Sequence, residues 1–456
     1  MTGSSAFLTD RYELTMIDAA LQSGTHEREC IFEAFTRRLP SGRRYGVLAG
    51  VGRLLQLIEE FRFDEDELSW LSENRVVDLR TIDWLADFRF SGSIQGYQEG
   101  EVFFPGSPFL VVDAPFAEGV ILETLILSVF NYDSAVASAA ARMVSAANGR
   151  PLAEMGSRRA NEWSAVAAAR AAFIAGFSAT SNLEAGRTWG IPTMGTAAHS
   201  FTLLHDSEED AFHAQIAALG ESTTLLVDTF DIESAIDLAV RVAGPKLGAV
   251  RLDSGDLPSL VRAVRAQLDS LGASATRITV TNDLDEFTIA ALASAPVDSY
   301  GVGTSVVTGS GSPASGMVYK LVAHRSGEGE WVAVAKTSDG KPSVGGRKYP
   351  VRRFDADGHA VAEEIHIVGG DEKIEVEGRP LLIPLISDGA IDRRFTGPAG
   401  VLLAKNHRAS AIAELPLEAF RLGRGDPVVP TVFVGRSLPA VVSGHEALSG
   451  RSGQRR

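Results

Sequence analysis

The stretch GAVRLDSGDLPSLVRAVRAQLDSLG, residues 248–272, decides the architecture: a brief β-branched run ends in Asp and Gly, and a helical segment follows at once. The same order returns in TTLLVDTF (223–230) with IESAIDLAVRVAG (232–244), in RITVTNDLD (277–285) and in SYGVGTS (299–305). Short apolar strands alternating with Ala-rich helices argue for a parallel sheet. Polar residues set just past each strand favour a barrel, whose reactive groups gather at the strand C-termini.

Outward from this core, residues 118–148 are first strongly apolar and then Ala-rich, which predicts two buried helices or one broken near residues 131–133. Residues 91–116 hold short β runs interrupted by Gly and Pro, the pattern of a small antiparallel sheet closing a first domain near Pro115. Residues 64–90 alternate acidic and aromatic side chains and read as peripheral helices. Earlier still come a helix capped by Thr9 or Asp10 and stopped by Gly24, a strand at 30–35, a basic turn (Arg37, Arg38, Arg43, Arg44) and a helix at 51–61. After Lys320 the runs LVAHR, EWVAVAKTS, KYPVRRF and HAVAEEIHIVG alternate apolar and polar residues. They predict a β-rich layer that completes the N-terminal sheet, followed by a helix at 402–415.

The chain has 456 residues and 48.5 kDa, more than one ordinary core accommodates. A formal net charge of −15 and a pI near 5.1 argue against affinity for nucleic acid or an anionic membrane, so an anionic small substrate must find a local basic pocket. Cys30, the single cysteine, excludes an internal disulfide and a Cys-based zinc site. The first residues carry no signal pattern, and no uninterrupted apolar run reaches the length of a membrane span. A soluble, cytoplasmic protein is the expectation.

Four strand ends supply reactive side chains: Asp228; Arg251 with Asp253 and Asp256; Asn282 and Asp283; Gly301, Gly303 and Thr304. One such Asp is commonly a helix N-cap. Several at one rim can hold ribose hydroxyls or a divalent cation, and the Gly-rich turn offers backbone N–H groups to phosphate. Arg251 can clamp a carboxylate or phosphate at two points, or simply pair with Asp253 or Asp256. GVGTS lacks the third glycine of a dinucleotide fold, and no GxxxxGK[ST] sequence occurs. In EAGRTWGIPTMGTAAHS (184–200), small residues around His199 leave room for a bulky group to approach, as around a reactive imidazole. The alternative is a histidine that fills the core or caps a helix.

In order along residues 7–350, TDRYELTM, RRLPSGRRYGVLAG, EGEVFFPGSPFL, ILETLILSVFN, GSRRA, FSATSN, GTAAHSF, VRLDSGDL and GVGTSVVT resemble nicotinate phosphoribosyltransferases. The resemblance implies an irregular TIM-like α/β barrel with an N-terminal α/β sandwich domain completed by a β-rich C-terminal region. Laid on this chain, that gives a sandwich domain at 1–117, a barrel at 118–320, a C-terminal region at 321–441 and a disordered tail at 442–456. It further implies ATP-coupled transfer of a phosphoribosyl group from phosphoribosyl pyrophosphate to nicotinate, in NAD salvage, by a Mg²⁺-using homodimer.

Carried over by position, His199 would be transiently phosphorylated by ATP. Tyr12, Thr196 and Arg251 would reach nicotinate, Tyr12 across the dimer interface. Thr304, Gly303, Gly301, Asp253 and Arg158 would meet phosphoribosyl pyrophosphate. Nicotinamide-using relatives place an aspartate at the position of Ser181, where a carboxylate would repel an acid; a serine favours nicotinate. The chain departs from the family pattern at Met155, where many relatives carry Phe, and at GGRK (345–348), where others have PGKK. Rival readings are a nicotinamide or quinolinate phosphoribosyltransferase and a non-catalytic pyridine or nucleotide sensor with a structural His199. A phosphate-sugar aldolase or isomerase would want a Lys at a strand end, and none of these four ends carries one.

Overall fold

The computed structural model describes residues 4–335, 344–368 and 376–435; the tail expected at 442–456 lies outside them. At its centre is an all-parallel sheet of six strands in the order Ala179–Thr180, Leu152–Glu154, Ser299–Val302, Arg277–Val280, Ala249–Leu252, Thr224–Leu226. Helices such as Ile232–Ala243 and Leu257–Ser270 return the chain between strands, burying Ala235, Ile236 and Ala239, or Val261, Val264 and Leu268, on one face. The sheet curls into an irregular, open barrel. Thr193 bridges Thr180 at one edge, and the loop that follows leads to His199, beside the strand end at the other edge.

A second sheet is antiparallel, with seven strands in the order Trp331–Ala333, Met317–Arg325, Glu29–Thr36, Pro108–Pro115, Ser93–Tyr97, Leu382–Ser387, Ala390–Ile391. Segments from both ends of the chain therefore interleave, and the strand Met317–Arg325 runs across residue 320. The peripheral helices are Glu65–Glu73 and Leu79–Asp87, capped by Asp64 and Asp78. The N-terminal helix Arg11–Ser23 has Asp10 at its N-cap position without a side-chain capping bond, and Gly24 ends it in the left-handed conformation (φ 73°).

One expectation needs correction. Helix Glu123–Ala147 runs unbroken through residues 131–133, and the interruption falls earlier, between it and the short helix Phe116–Val120. The polar residues that suggested a break have distant partners. Asp133 takes two hydrogen bonds from Arg53 at 3.0 Å, and Asn131 accepts the Met317 N–H at 2.9 Å. The change in composition marks instead a change of neighbours. Leu125, Ile126, Val129 and Phe130 belong to the core under the antiparallel sheet, while Val136, Ala137, Ala140, Ala141 and Ala147 pack in the barrel core. Among the described residues, the stretch Phe116–Ala147 has the length and hydropathy for a bilayer crossing, but most of it is buried in protein.

The C-terminal hairpin, Arg347–Phe354 with Ala360–Val368, is tied to the N-terminal half by buried ion pairs. Arg352 bonds Glu101 at 2.6 Å and also pairs with Glu363, and Lys348 bonds Glu33 at 2.7 Å. Removing the cation from such a cluster strands carboxylates in low dielectric. Arg352→Met is therefore expected to lower stability by about 3–5 kcal/mol, read as a shifted midpoint in chemical denaturation. The helix expected at 402–415 begins sooner, at Gly397, and its Val401 and Ala404 pack on Val166, Phe173 and Trp189.

Candidate functional site

The C-terminal ends of the parallel strands open into a cavity of about 550 Å³. Its wall includes eight residues singled out in the sequence: Arg158, Ser181, Thr196, Arg251, Asp253, Gly301, Gly303 and Thr304. His199 stands at the rim. Its ring is 42% exposed, with Nδ1 3.1 Å from the Thr229 hydroxyl and Nε2 3.9 Å from Asp228 and 4.0 Å from Asp253. Tyr12 is not brought to this cavity within the chain. It lies on the N-terminal helix, its phenol pushed up to about 12 by burial and by the nearby Glu123.

Three strand-to-helix junctions each carry two aspartates, and the structure separates their duties. The later one of each pair, Asp231, Asp256 or Asp285, is the helix N-cap residue. The earlier one faces the rim. Asp228 accepts the Asp253 N–H at 3.0 Å and the Ser254 hydroxyl at 2.7 Å, while its other oxygen is buried without a hydrogen-bond partner on the side of His199. Asp283 adopts left-handed backbone (φ 37°), a conformation that Asp tolerates better than most residues, and lines the cavity with Asn282.

Arg251 is the hub. Its Nε donates to Thr281 at 2.9 Å, its Nη1 to Thr196 at 3.1 Å and to the Ala197 carbonyl at 3.2 Å, and its Nη2 pairs with Asp253 at 3.1 Å. Four of the five guanidinium N–H groups are thus engaged. The pairing with Asp253 that the sequence left open is present, and the two-point clamp on a ligand reduces to one remaining N–H. Carboxylate recognition would then be shared with hydroxyls of the wall. Arg158 and Arg159, by contrast, make no side-chain hydrogen bond or ion pair among the described residues. They form a local basic patch on the cavity wall of an acidic protein.

The glycine turn is shaped by crowding. A Cβ at Gly301 would come within 2.6 Å of the Met155 sulfur and 2.7 Å of Thr281 Cγ2. Beyond it, Thr304–Val307 is a single helical turn. Residues that sequence reasoning passed over are Thr229, Thr281, Ser157, Arg159 and Glu154. Thr229 and Thr281 obey the rule that found the aspartates, since each follows a parallel strand closely. Glu154 gave no signal, as it ends a three-residue strand and is buried, which raises its carboxyl above the ordinary range.

Comparison with known proteins gives concordant results. A model of the nicotinate phosphoribosyltransferase N-terminal domain matches residues 7–131. The chain is 52% identical over 444 residues to nicotinate phosphoribosyltransferase pncB1 of Mycobacterium tuberculosis, covering 96% of each protein. It is 37% identical over 382 residues to nicotinate phosphoribosyltransferase of Bacillus subtilis, covering 81% of this chain and 77% of that one. The crystal structure of human nicotinic acid phosphoribosyltransferase superposes with a TM-score of 0.77 at 24% identity, covering 94% of this chain and 98% of the other, which bears on the fold.

Proposed function

Because the chain belongs to the nicotinate phosphoribosyltransferase family, we propose that it joins nicotinate to ribose C1 of phosphoribosyl pyrophosphate, releasing diphosphate, with ATP hydrolysis coupled through phosphorylation of His199. The observation that carries this reading is one cavity holding the unpaired Arg158 and Arg159 beside the Arg251 hub, with an accessible imidazole at its rim.

The pyridine nitrogen lone pair forms the bond to C1 as the bond from C1 to the diphosphate oxygen breaks. The transition state is cationic at the sugar and needs no protein nucleophile, so the protein's work is orientation and charge placement. The free N–H of Arg251 and the hydroxyls of Ser181 and Thr196 would hold the pyridine carboxylate. Arg158, Arg159, Thr304 and the backbone N–H groups of Gly301 and Gly303 would hold the phosphates, and Asp253 the ribose hydroxyls. No group of three or more His, Cys, Asp or Glu among the described residues forms a metal cage. Asp253 and Asp283, both on the cavity wall, are the carboxylates that would hold a Mg²⁺ brought by the diphosphate, where it would neutralise the leaving group.

For the coupled step, carboxylates facing Nε2 favour the tautomer with its proton there, which leaves the lone pair on Nδ1. That nitrogen would take the ATP γ-phosphoryl group as ADP leaves, with Asp228 balancing the charge gained by the ring. Water then hydrolyses the phosphohistidine during turnover. A second copy of the chain would bring Tyr12 to the pocket, making the working unit a homodimer, and the lone buried Cys30 suits a cytoplasmic enzyme.

Two measurements test the reading. Exposure to radiolabelled ATP should leave acid-labile, base-stable phosphate on the protein. Turnover with nicotinate, nicotinamide and quinolinate in parallel should single out nicotinate. A protein that binds pyridines but carries no phosphate and turns over none of the three would be a sensor. Specificity should also respond to one hydroxyl: Ser181→Asp is expected to weaken nicotinate relative to nicotinamide by about tenfold or more, the scale of one charged hydrogen bond exchanged for repulsion. Unchanged relative KM values would remove Ser181 from the account.

A further inference from the structure

Next to the cavity lies a carboxylate that the chemistry above does not use. Glu154 ends the strand Leu152–Glu154, just before Met155 of the wall, and is fully shielded from solvent. Among the described residues no cation pairs with it. Its neighbours are hydrogen-bond donors: Oε1 accepts the Gly156 N–H at 2.5 Å and Oε2 accepts the Thr180 hydroxyl at 2.6 Å. Its backbone carbonyl takes the Ser181 N–H at 2.8 Å.

We propose that Glu154 is a positioning residue that fixes the distance between the two sides of the pyridine pocket, the turn at 155–159 and the Ser181 strand end. The β-ladder between these sides is only two residue pairs long, Ala153 with Ala179 and Glu154 with Thr180. Side-chain bonds must supply the rest. Thr180 Oγ1 accepts the Asn182 N–H at 3.0 Å, and Asn182 Nδ2 donates to Ser157 Oγ at 3.1 Å, closing a ring of bonds that begins and ends on the two walls. Thr180 also anchors the third wall, because its carbonyl accepts the Met194 N–H at 3.0 Å in the loop that carries Thr196.

The hydrogen-bond geometry suits this clamp and poorly suits a merely structural post. A carboxylate is acceptor on both oxygens and meets a donor on each. A glutamine of the same size would turn its NH₂ toward one of those donors. Burying a carboxyl group without an ion-pair partner is costly, and a chain that only needed to fold would gain by avoiding it. Local rules broken in this way belong to functional sites.

The proposal rests on the reading of the pocket given above, and the test separates the two. Glu154→Gln in the full chain should still fold and should raise KM for nicotinate by roughly tenfold or more, since small misplacements of binding groups are felt strongly, while KM for phosphoribosyl pyrophosphate rises several-fold less, through Arg158 and Arg159 on the same turn. Thr180→Val cuts the same clamp from the other side and should give the same split, with the double variant no worse than either. Both KM values unchanged, or KM for phosphoribosyl pyrophosphate rising as much as that for nicotinate, would overturn the proposal. If Glu154→Gln does not fold, Thr180→Val decides by the same criteria. An unmodified protein that neither binds nor turns over nicotinate would sink the underlying reading and the clamp with it.

Discussion

Replacing His199 with alanine is expected to abolish ATP-derived phosphate on the protein while leaving the fold intact. The imidazole makes one side-chain hydrogen bond, to Thr229, and is 42% exposed, so its truncation should cost no more than about 1 kcal/mol of stability. The chemistry at ribose C1 does not pass through this ring, so a residual, uncoupled transfer should persist. The expected kinetic result is a fall of about 10²–10³-fold in kcat/KM for phosphoribosyl pyrophosphate in the presence of ATP, with ATP no longer consumed in step with product. Parallel measurement of ADP and nicotinate mononucleotide decides the matter. ATP consumption that stays as tightly coupled in His199→Ala as in the unmodified protein removes the residue from the mechanism.

Arg251→Lys preserves charge and should still cost about 2–3 kcal/mol in transition-state binding, a loss of roughly 10²-fold in kcat/KM for nicotinate. The guanidinium reaches Thr281, Thr196, the Ala197 carbonyl and Asp253 at once, and a point ammonium cannot span those directions. Two consequences should be separable. The loop carrying Thr196 loses its tether to the strand Ala249–Leu252, and Asp253 loses its fixed partner. The first raises KM for nicotinate and the second raises KM for phosphoribosyl pyrophosphate, so both constants move to a similar extent, unlike the nicotinate-weighted change expected for Glu154→Gln. Wild-type kinetics in Arg251→Lys would show that the hub is only scaffolding.

Much of the site was legible because the barrel repeats one local grammar. A short β-branched run followed by Asp, Gly, Ser or Thr marks a strand end, and four such ends located Asp228, Arg251, Asp253, Asp283 and Thr304 from the sequence alone. The sequence did not say which Asp of each pair would cap the following helix. That is decided by register: Asp231, Asp256 and Asp285 directly precede their helices, whereas Asp228, Asp253 and Asp283 sit two or three residues sooner. What stayed hidden depended on partners far along the chain. Asp133 and Asn131 looked like helix breakers because Arg53 and Met317 are not local to them, and Glu154 was invisible because its partners are a turn and a neighbouring strand. Tyr12, expected to reach nicotinate across a dimer interface, stands apart from the cavity within the single chain.

The order of the antiparallel sheet also bears on how the molecule is made. Glu29–Thr36 leaves the ribosome early, yet one of its two flanking strands, Met317–Arg325, is translated only after the entire barrel. Until then an apolar edge containing Ile31 and Phe32 stays unsatisfied in the nascent polypeptide. Pairing over so long a sequence interval is slow, so biogenesis should lean on holdase protection, and truncation before that strand should yield insoluble material even though the barrel is complete.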